Sequence, residues 1–326
     1  MTTIADVARK AGVSKATASR AFSRPEAVRA DTRERVLAVA RDLAYTPSPV
    51  ARSLSTGRTG NLGLFVPDIS NPFFGPLMKA VQSEAKARGF ALFVADSDEH
   101  TEDEEGLVRA IAAQVDGLVL ASPRMSDDQL RSLHAQVPLV VINRSTVGVP
   151  GVLVDSAQGM TQAVEHLVAL GHRRATYLAG PADSFSATER RASLTAAAAR
   201  HGLEVVELGP VEPRFSAGVR GADLALATGA TAVLAYNDLV ALGLMQQLVA
   251  RGLRVGPDVS VVGFDDIWLA PMTTPPLTTV CAPGAAAGTA AVRLLTDPSG
   301  AGRSPGSIRL PTELVVRQST GPAPRR

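Results

Sequence analysis

Cysteine is almost absent from this 326-residue chain. The single Cys281 cannot close an internal disulfide, and no second thiol gives it metal-ligand spacing, so a reducing cytoplasm is the expected location. Aromatic residues are also scarce, at 4% with one Trp. No apolar run reaches the roughly 20 residues that cross a bilayer. The start, Met1-Thr-Thr-Ile-Ala-Asp6, shows no basic segment leading into an apolar one, so neither export nor anchoring is expected. Catalytic signatures are missing too: no Gly-x-Gly-x-x-Gly follows a strand, and there is no Walker loop and no Gly-x-Ser-x-Gly elbow. Catalysis and a bound cofactor are therefore not expected. His166 and His172 lack a third ligand at suitable spacing, which argues against a metal. The acidic run Glu102 to Glu105 reads as the solvated start of a helix.

What is present suits a folded protein, with 45% hydrophobic and 20% charged residues, and the length fits a small domain followed by a larger one. The net charge of +2 hides a division. Residues 1–60 carry eleven Arg and Lys against five Asp and Glu, or +6, which leaves −4 for the remainder. Only the head suits a polyanion. Solubility alone would explain a basic helical domain equally well, so the pattern must decide.

Thr3 with Asp6 opens a capping-box-like start, and Ile4, Val7, Ala8 and Ala11 then share one face of a first helix. Gly12-Val13 makes a turn and Ser14 caps a second helix, whose Ala18, Ala21 and Phe22 point inward with Val13. Lys15, Ala16, Ser19 and Arg20 face outward. Two short helices joined through a glycine turn make a helix-turn-helix, whose second helix lays its N-terminal residues along base edges. A third helix from about Asp31 to Leu43 offers Val36, Leu37, Ala40 and Leu43 to the same small core. Beyond Tyr45, Ser48 and Pro49 can open the short segment Val50 to Leu54, too short to be helical alone, and Gly57 to Gly60 reads as a joint.

These residues carry a resemblance. The string Thr3 to Arg20, with Pro47 to Gly57, is similar to the head and hinge of the lactose-repressor (LacI/GalR) family. The likeness continues through Val66-Pro-Asp-Ile-Ser-Asn-Pro-Phe-Phe74, His166 to His172, Asn237-Asp238, Val261-Val-Gly-Phe-Asp-Asp266 and Pro275-Pro-Leu-Thr-Thr279, covering nearly the whole chain. It implies that Lys15, Ala16 and Arg20 touch base edges of operator DNA, with Arg20 suited to a bidentate pair on guanine. Such a pair discriminates by roughly 1–3 kcal/mol. Ala16 departs from the polar residue often found there and leaves only apolar contact with a thymine methyl. Thr17 and Ser19 are expected on phosphates, and Thr3, Ser14 and Arg52 complete the expected DNA-facing set. Leu54 falls where the family wedges a leucine into the minor groove; packing on the larger domain is the alternative.

From Asn61 onward, apolar runs at 62–66, 91–95, 117–120, 139–142, 175–178, 232–235 and 259–263 alternate with helix-like stretches, which predicts parallel sheets flanked by helices. They fall into two groups, so two doubly wound lobes with a ligand cleft at strand carboxyl ends are expected. The resemblance implies the same architecture: an all-α helix-turn-helix head plus an α/β periplasmic-binding-protein-like (type I) effector domain. The expected organisation is a head at 1–46, a hinge at 47–60, an effector and dimerisation domain at 61–320, and a disordered tail at 321–326. Lobe 1 would take about 61–158 and 284–310, and lobe 2 about 159–283 and 311–320, with crossings near Asp155 to Gly159, Cys281 to Gly284 and Leu310 to Thr312.

By resemblance, Asp265 accepts from ligand hydroxyls, Arg190, four residues after Ser186, donates to ligand oxygens, and Asn143 and Asn237 supply amides. Phe73, Phe74, Phe215 and Trp268 are candidate apolar walls, each equally suited to core packing. The set suits a sugar. The expected protein is a homodimeric repressor of carbohydrate-utilisation genes on a pseudo-palindromic operator, since little chain after Arg317 remains for the heptad tail that tetramerises the lactose repressor. Three rivals stand beside it: a sugar-binding module with no role on DNA, a regulator responding to a nucleobase, and an enzyme acting on the bound sugar.

Overall fold

The computed structural model describes residues 2–46, 57–297 and 307–324. These form two units, a small helical one and a large α/β one.

The small unit is built from α1 (Ile4–Ala11), α2 (Lys15–Ser23) and α3 (Ala30–Asp42). Thr3 and Asp6 close a capping box on α1, Gly12 ends that helix with φ 66°, and the Ser14 hydroxyl accepts from Thr17 N–H at 3.0 Å to start α2. The positive φ costs glycine nothing, which is why α1 can stop and turn within two residues. Val7, Ala8, Ala11, Ala18, Ala21, Val36 and Ala40 form the core, with Ile4, Val13, Phe22, Val39, Leu43 and Tyr45 packed against it. Leu37 does not join them. The stripe on α3 is Val36, Val39, Ala40 and Leu43, spaced as one helical face, and Leu37 is one position off it.

The large unit holds two six-stranded sheets. In the first, the order is β11-β5-β4-β3-β1-β2, with β1 (Asn61–Val66), β2 (Ala91–Asp96), β3 (Leu118–Ala121), β4 (Leu139–Ile142), β5 (Gly151–Val154) and β11 (Ser307–Leu310). Around it lie α4 (Phe74–Ala87), α5 (Thr101–Ala112), α6 (Asp127–His134) and α11 (Gly284–Thr296). The second sheet runs β12-β10-β9-β8-β6-β7, with β6 (Arg174–Leu178), β7 (Glu204–Leu208), β8 (Ala232–Ala235), β9 (Ser260–Asp265), β10 (Thr278–Cys281) and β12 (Glu313–Val315). Its helices are α7 (Ser156–Ala169), α8 (Phe185–His201), α9 (Phe215–Ala227) and α10 (Asp238–Ala250). Pairing is parallel from β1 through β3, β4 and β5 to β11, and from β7 through β6, β8 and β9 to β10; β12 adds antiparallel to β10. The central strands β3, β4, β5 and β8 are buried along their whole length, as sheets covered on both faces require.

The chain passes between the lobes three times, from β5 into α7, from β10 into α11, and from β11 into β12. These passages bind one another. Thr312 donates its hydroxyl to Asp155 C=O at 2.7 Å, and Gln158 accepts from Thr312 N–H at 3.2 Å. A Cβ on Gly159 would lie 2.3 Å from Val280, so the glycine lets α7 approach β10.

The last described residues are not the disordered tail that their composition suggests. Buried His172 faces the Gly321 carbonyl at 3.1 Å and the Ser260 hydroxyl at 3.0 Å, Gly321 N–H donates to Ser260, and Ala323 N–H donates to Leu170 C=O at 2.8 Å. Backbone hydrogen bonds hold a segment whose side chains have little to bury. Burial lowers the pKa of His172 and His166, which keeps both neutral for such contacts.

Candidate functional site

On the helical unit, Lys15, Ala16 and Arg20 are exposed on the side of α2 away from the core residues Ala18 and Ala21. Ser19 and Thr17 are half-buried. The Ser14 and Thr17 hydroxyls lie 2.8 Å apart within the cap of α2, and the Thr3 hydroxyl is engaged with Asp6 at 2.7 Å. These three side chains therefore set the helix starts, while Lys15 and Arg20 carry no such task. Arg52 and Leu54 lie outside the described residues.

The cleft of the large unit opens at the carboxyl ends of strands from both sheets. Its inner pocket, about 40 Å³, is lined by Asn71, Phe73, Phe74, Asn143, Ser186, Arg190, Asn237 and Asp265, with Glu99, Ser122, Arg124, Ser184 and Tyr236. Seven expected residues thus meet in one place. Two do not. Phe215, 40% exposed, opens α9 outside this pocket, and Trp268, 59% exposed, lines a neighbouring cavity of about 300 Å³ that shares Phe73 and Asp265 with it.

Arg190 and Asp265 form the centre. Ser186 and Arg190, one helical turn apart on α8, turn the same way into the cleft. Nη2 of Arg190 donates to Asp265 Oδ1 at 3.0 Å and Nη1 to Tyr236 C=O at 2.6 Å, while the guanidinium carbon stacks 3.6 Å from the Phe264 ring centroid. The buried Nε of Arg190 has no partner among the described residues, an unspent donor in a polar pocket. Asn237 accepts Val240 N–H to cap α10 and donates to Pro213 C=O, so its carbonyl oxygen is committed within the fold. Likewise Asn143 accepts from Val154 N–H at 3.3 Å and has its amide group left to offer.

Backbone strain collects here. Asp98, Glu99, Ser122, Asn143, Asp265 and Asp266 all have positive φ, and all follow or end a strand at the cleft. Left-handed backbone at a residue with a side chain costs on the order of 1–3 kcal/mol, and it persists where the surrounding structure holds a site in shape.

Sequence patterns found Phe73, Phe74 and Asn143 of lobe 1 but missed its Glu99, Ser122 and Arg124. Glu99 pairs with Arg124, and Arg124 reaches Asp183 of lobe 2 at 3.8 Å. Arg214 of lobe 2 pairs with Asp98 at 2.6 Å, and Arg144 stacks over Phe185 at 5.8 Å, so three contacts cross the cleft. A usable signal existed: Asp98-Glu99 follows β2 and Ser122 to Arg124 follows β3, where ligand residues of such sheets gather. The acidic run is only partly solvated, because Glu104 is buried and accepts the N–H groups of Arg124 and Met125. It thereby fixes the loop that carries Arg124.

Behind the pocket, Asp238 is fully buried. It accepts from the Thr279 hydroxyl at 2.5 Å and from Ile267 N–H at 2.8 Å, which anchors the turn beyond Asp265. Burial, with the neighbouring Asp265 adding to it, pushes Asp238 up to about 7; burial pushes Asp265 up to about 6 against the pull of Arg190. Both carboxyls hold protons in the native state that the unfolded chain has released, so stability falls as pH rises between roughly 4 and 7. Asp238→Asn is expected to flatten that decline, read as urea midpoints from pH 5 to 7.5. A decline as steep as that of the parent protein would contradict the assignment.

A helix-turn-helix unit ahead of a two-lobed, type I periplasmic-binding-protein-like body defines the class. Residues 3–48 match the model for bacterial regulatory proteins of the lacI family, and residues 164–320 match a periplasmic binding protein-like domain. The chain is 34% identical to the HTH-type transcriptional regulator DegA of Bacillus subtilis (strain 168), over 98% of each chain. Its structure is similar to that of the lac repressor dimer bound to operator and the anti-inducer ONPF, with TM-score 0.86, 31% identity and coverage of 98% of this chain and 99% of that one. It is also similar to the transcriptional regulator CelR in complex with cellobiose, with TM-score 0.72, 32% identity and coverage of 98% and 100%. The chain belongs to the lacI family of bacterial regulatory proteins.

Proposed function

We propose that this protein is a cytoplasmic, homodimeric, non-enzymatic repressor of carbohydrate-utilisation genes, released from or held on its operator by a sugar or sugar derivative. One observation carries the ligand half: a buried guanidinium-carboxylate pair, Arg190 with Asp265, stands at strand ends among Ser186, the Asn143 amide and the rings of Phe73 and Phe74. Such a set offers donors and acceptors side by side with apolar edges, the pairing that vicinal hydroxyls on a C–H framework require. Lys15, Ala16 and Arg20 read bases from α2. Closure of the lobes on the ligand changes how the two heads of a dimer are held, with coupling of about 1–3 kcal/mol, and DNA must alter ligand affinity by the same factor. Among the described residues no helix is long and apolar enough to cross a membrane, and no cluster of three or more His, Cys, Asp or Glu could hold a metal.

The hinge leucine gives a direct test. Leu54→Ala is expected to weaken binding to a palindromic duplex while leaving nonspecific binding nearly unchanged, because a minor-groove wedge acts only where the DNA is kinked. Gel shifts on both DNAs read this out, and equal losses would defeat the wedge.

A further inference from the structure

A short piece of the α/β chain belongs to the helical unit. Gln114, Val115 and Asp116 lie between α5 and β3, yet they group with residues 1–61 and not with the strands around them. The closest tie is one carboxylate. Asp116 Oδ1 accepts the N–H of Thr59 at 2.6 Å and its hydroxyl at 2.9 Å, while Oδ2 accepts Gly60 N–H at 2.9 Å. Asp116 N–H in turn donates to Asn61 C=O at 2.8 Å, and Asn61 Nδ2 donates to Gln114 C=O at 3.3 Å. The Thr59 hydroxyl also accepts Asn61 N–H at 3.2 Å.

Burial does not hold this stretch. Gly57 and Arg58 are exposed, Thr59, Gly60 and Asn61 are half-buried, and none of the five has an apolar side chain to pack. Chain ends with so little burial open most readily. Two successive N–H groups converging on an anion order the backbone without packing, and they do so where β1 has not yet begun.

What precedes Thr59 gives the order a use. The helices that carry Lys15 and Arg20 join the α/β chain through this one connection. A longer free tether lowers the effective concentration of a head over its half-site, and each released residue must be ordered again on binding. Attraction to phosphates requires no such order. We infer that Asp116 is a positioning residue for operator binding: by fixing residues 59–61 to the loop before β3, it sets the point from which the DNA-binding head is held. This stands independently of the ligand proposed above.

The test compares the full chain with Asp116→Ala and with Thr59→Val, which removes one donor and leaves both N–H groups. The probes are the duplex that the parent enriches from a random pool and a scrambled duplex. Asp116→Ala should weaken binding to the enriched duplex by about tenfold or more. Thr59→Val should weaken it roughly two- to fivefold. Affinity for the scrambled duplex should stay within about twofold in both. Hydrogen exchange gives a readout that general destabilisation would not: residues 59–61 should exchange about tenfold faster in Asp116→Ala while residues 62–66 keep their protection. Equal losses on both duplexes, parental affinity in both variants, or a selective loss without faster exchange at 59–61 overturns the inference. Should Asp116→Ala fail to fold, Thr59→Val decides by the same duplex comparison. If the parent enriches no duplex, operator recognition itself is overturned and the inference with it.

Discussion

Arg190→Ala should destabilise the protein by roughly 3–5 kcal/mol, the cost of removing one partner from a buried ion pair. It should also abolish ligand binding. The magnitude follows from what stays behind: Asp265 is nearly fully buried and loses the donor at 3.0 Å that opposes its protonation. The Phe264 and Tyr236 rings lose the cation stacked on them, and Tyr236 C=O loses its 2.6 Å donor. Replacing both members with leucine tests the origin of the effect. Arg190→Leu with Asp265→Leu should recover most of the stability, since an apolar pair of similar volume leaves no buried charge, yet remain unable to bind ligand. Urea denaturation and calorimetry separate the two. An Arg190→Ala protein with parental stability and parental ligand affinity would show that the pair is neither buried support nor ligand grip.

Arg20→Ala should weaken operator binding by about 1–3 kcal/mol per half-site, or roughly 5- to 150-fold, and relax preference at one guanine of each half-site. The expectation rests on position. Arg20 is exposed on the face of α2 opposite Ala18 and Ala21, with no task in the fold that its removal would disturb. Selectivity is the deciding readout. A residue that only neutralises phosphate would weaken all sequences alike and lower the salt slope by about one. A uniform loss across sequences would therefore move Arg20 from base reading to backbone contact.

How much of this was legible in the chain depends on what each element had to bury. The strands read as continuous apolar runs were β1, β2, β3, β4, β6, β8 and β9, most of them interior. Those not read were β5, β7, β10, β11 and β12. β7, Glu-Val-Val-Glu-Leu at a sheet edge, has an apolar run of only two residues, β10 buries the polar Thr278 and Thr279, and β5 begins on the last glycine of a Gly-Val-Pro-Gly stretch that reads as turn. The site divides the same way. Residues inside family motifs, such as Asp265 and Arg190, meet in the pocket, whereas Glu99 and Arg124 sit in loops without a motif. Phe215 and Trp268 are candidates by residue type alone, and type does not say which way a ring at a helix start or in a loop will face. Leu37 shows the same limit on a smaller scale, since one position along a helix turns a side chain by about 100°.

The central claim is that the exposed face of α2 reads a two-fold symmetric duplex under control of a sugar in the Arg190-Asp265 cleft. The most direct measurement is selection of bound duplexes from a random pool, followed by affinity titration of the enriched sequence with and without the sugars that bind. The expected result is an enriched palindrome with guanine in each half, bound far more tightly than its scrambled counterpart and shifted about 5- to 150-fold in affinity by the ligand. A pool that shows no symmetric enrichment, or an affinity that no ligand moves, would contradict it.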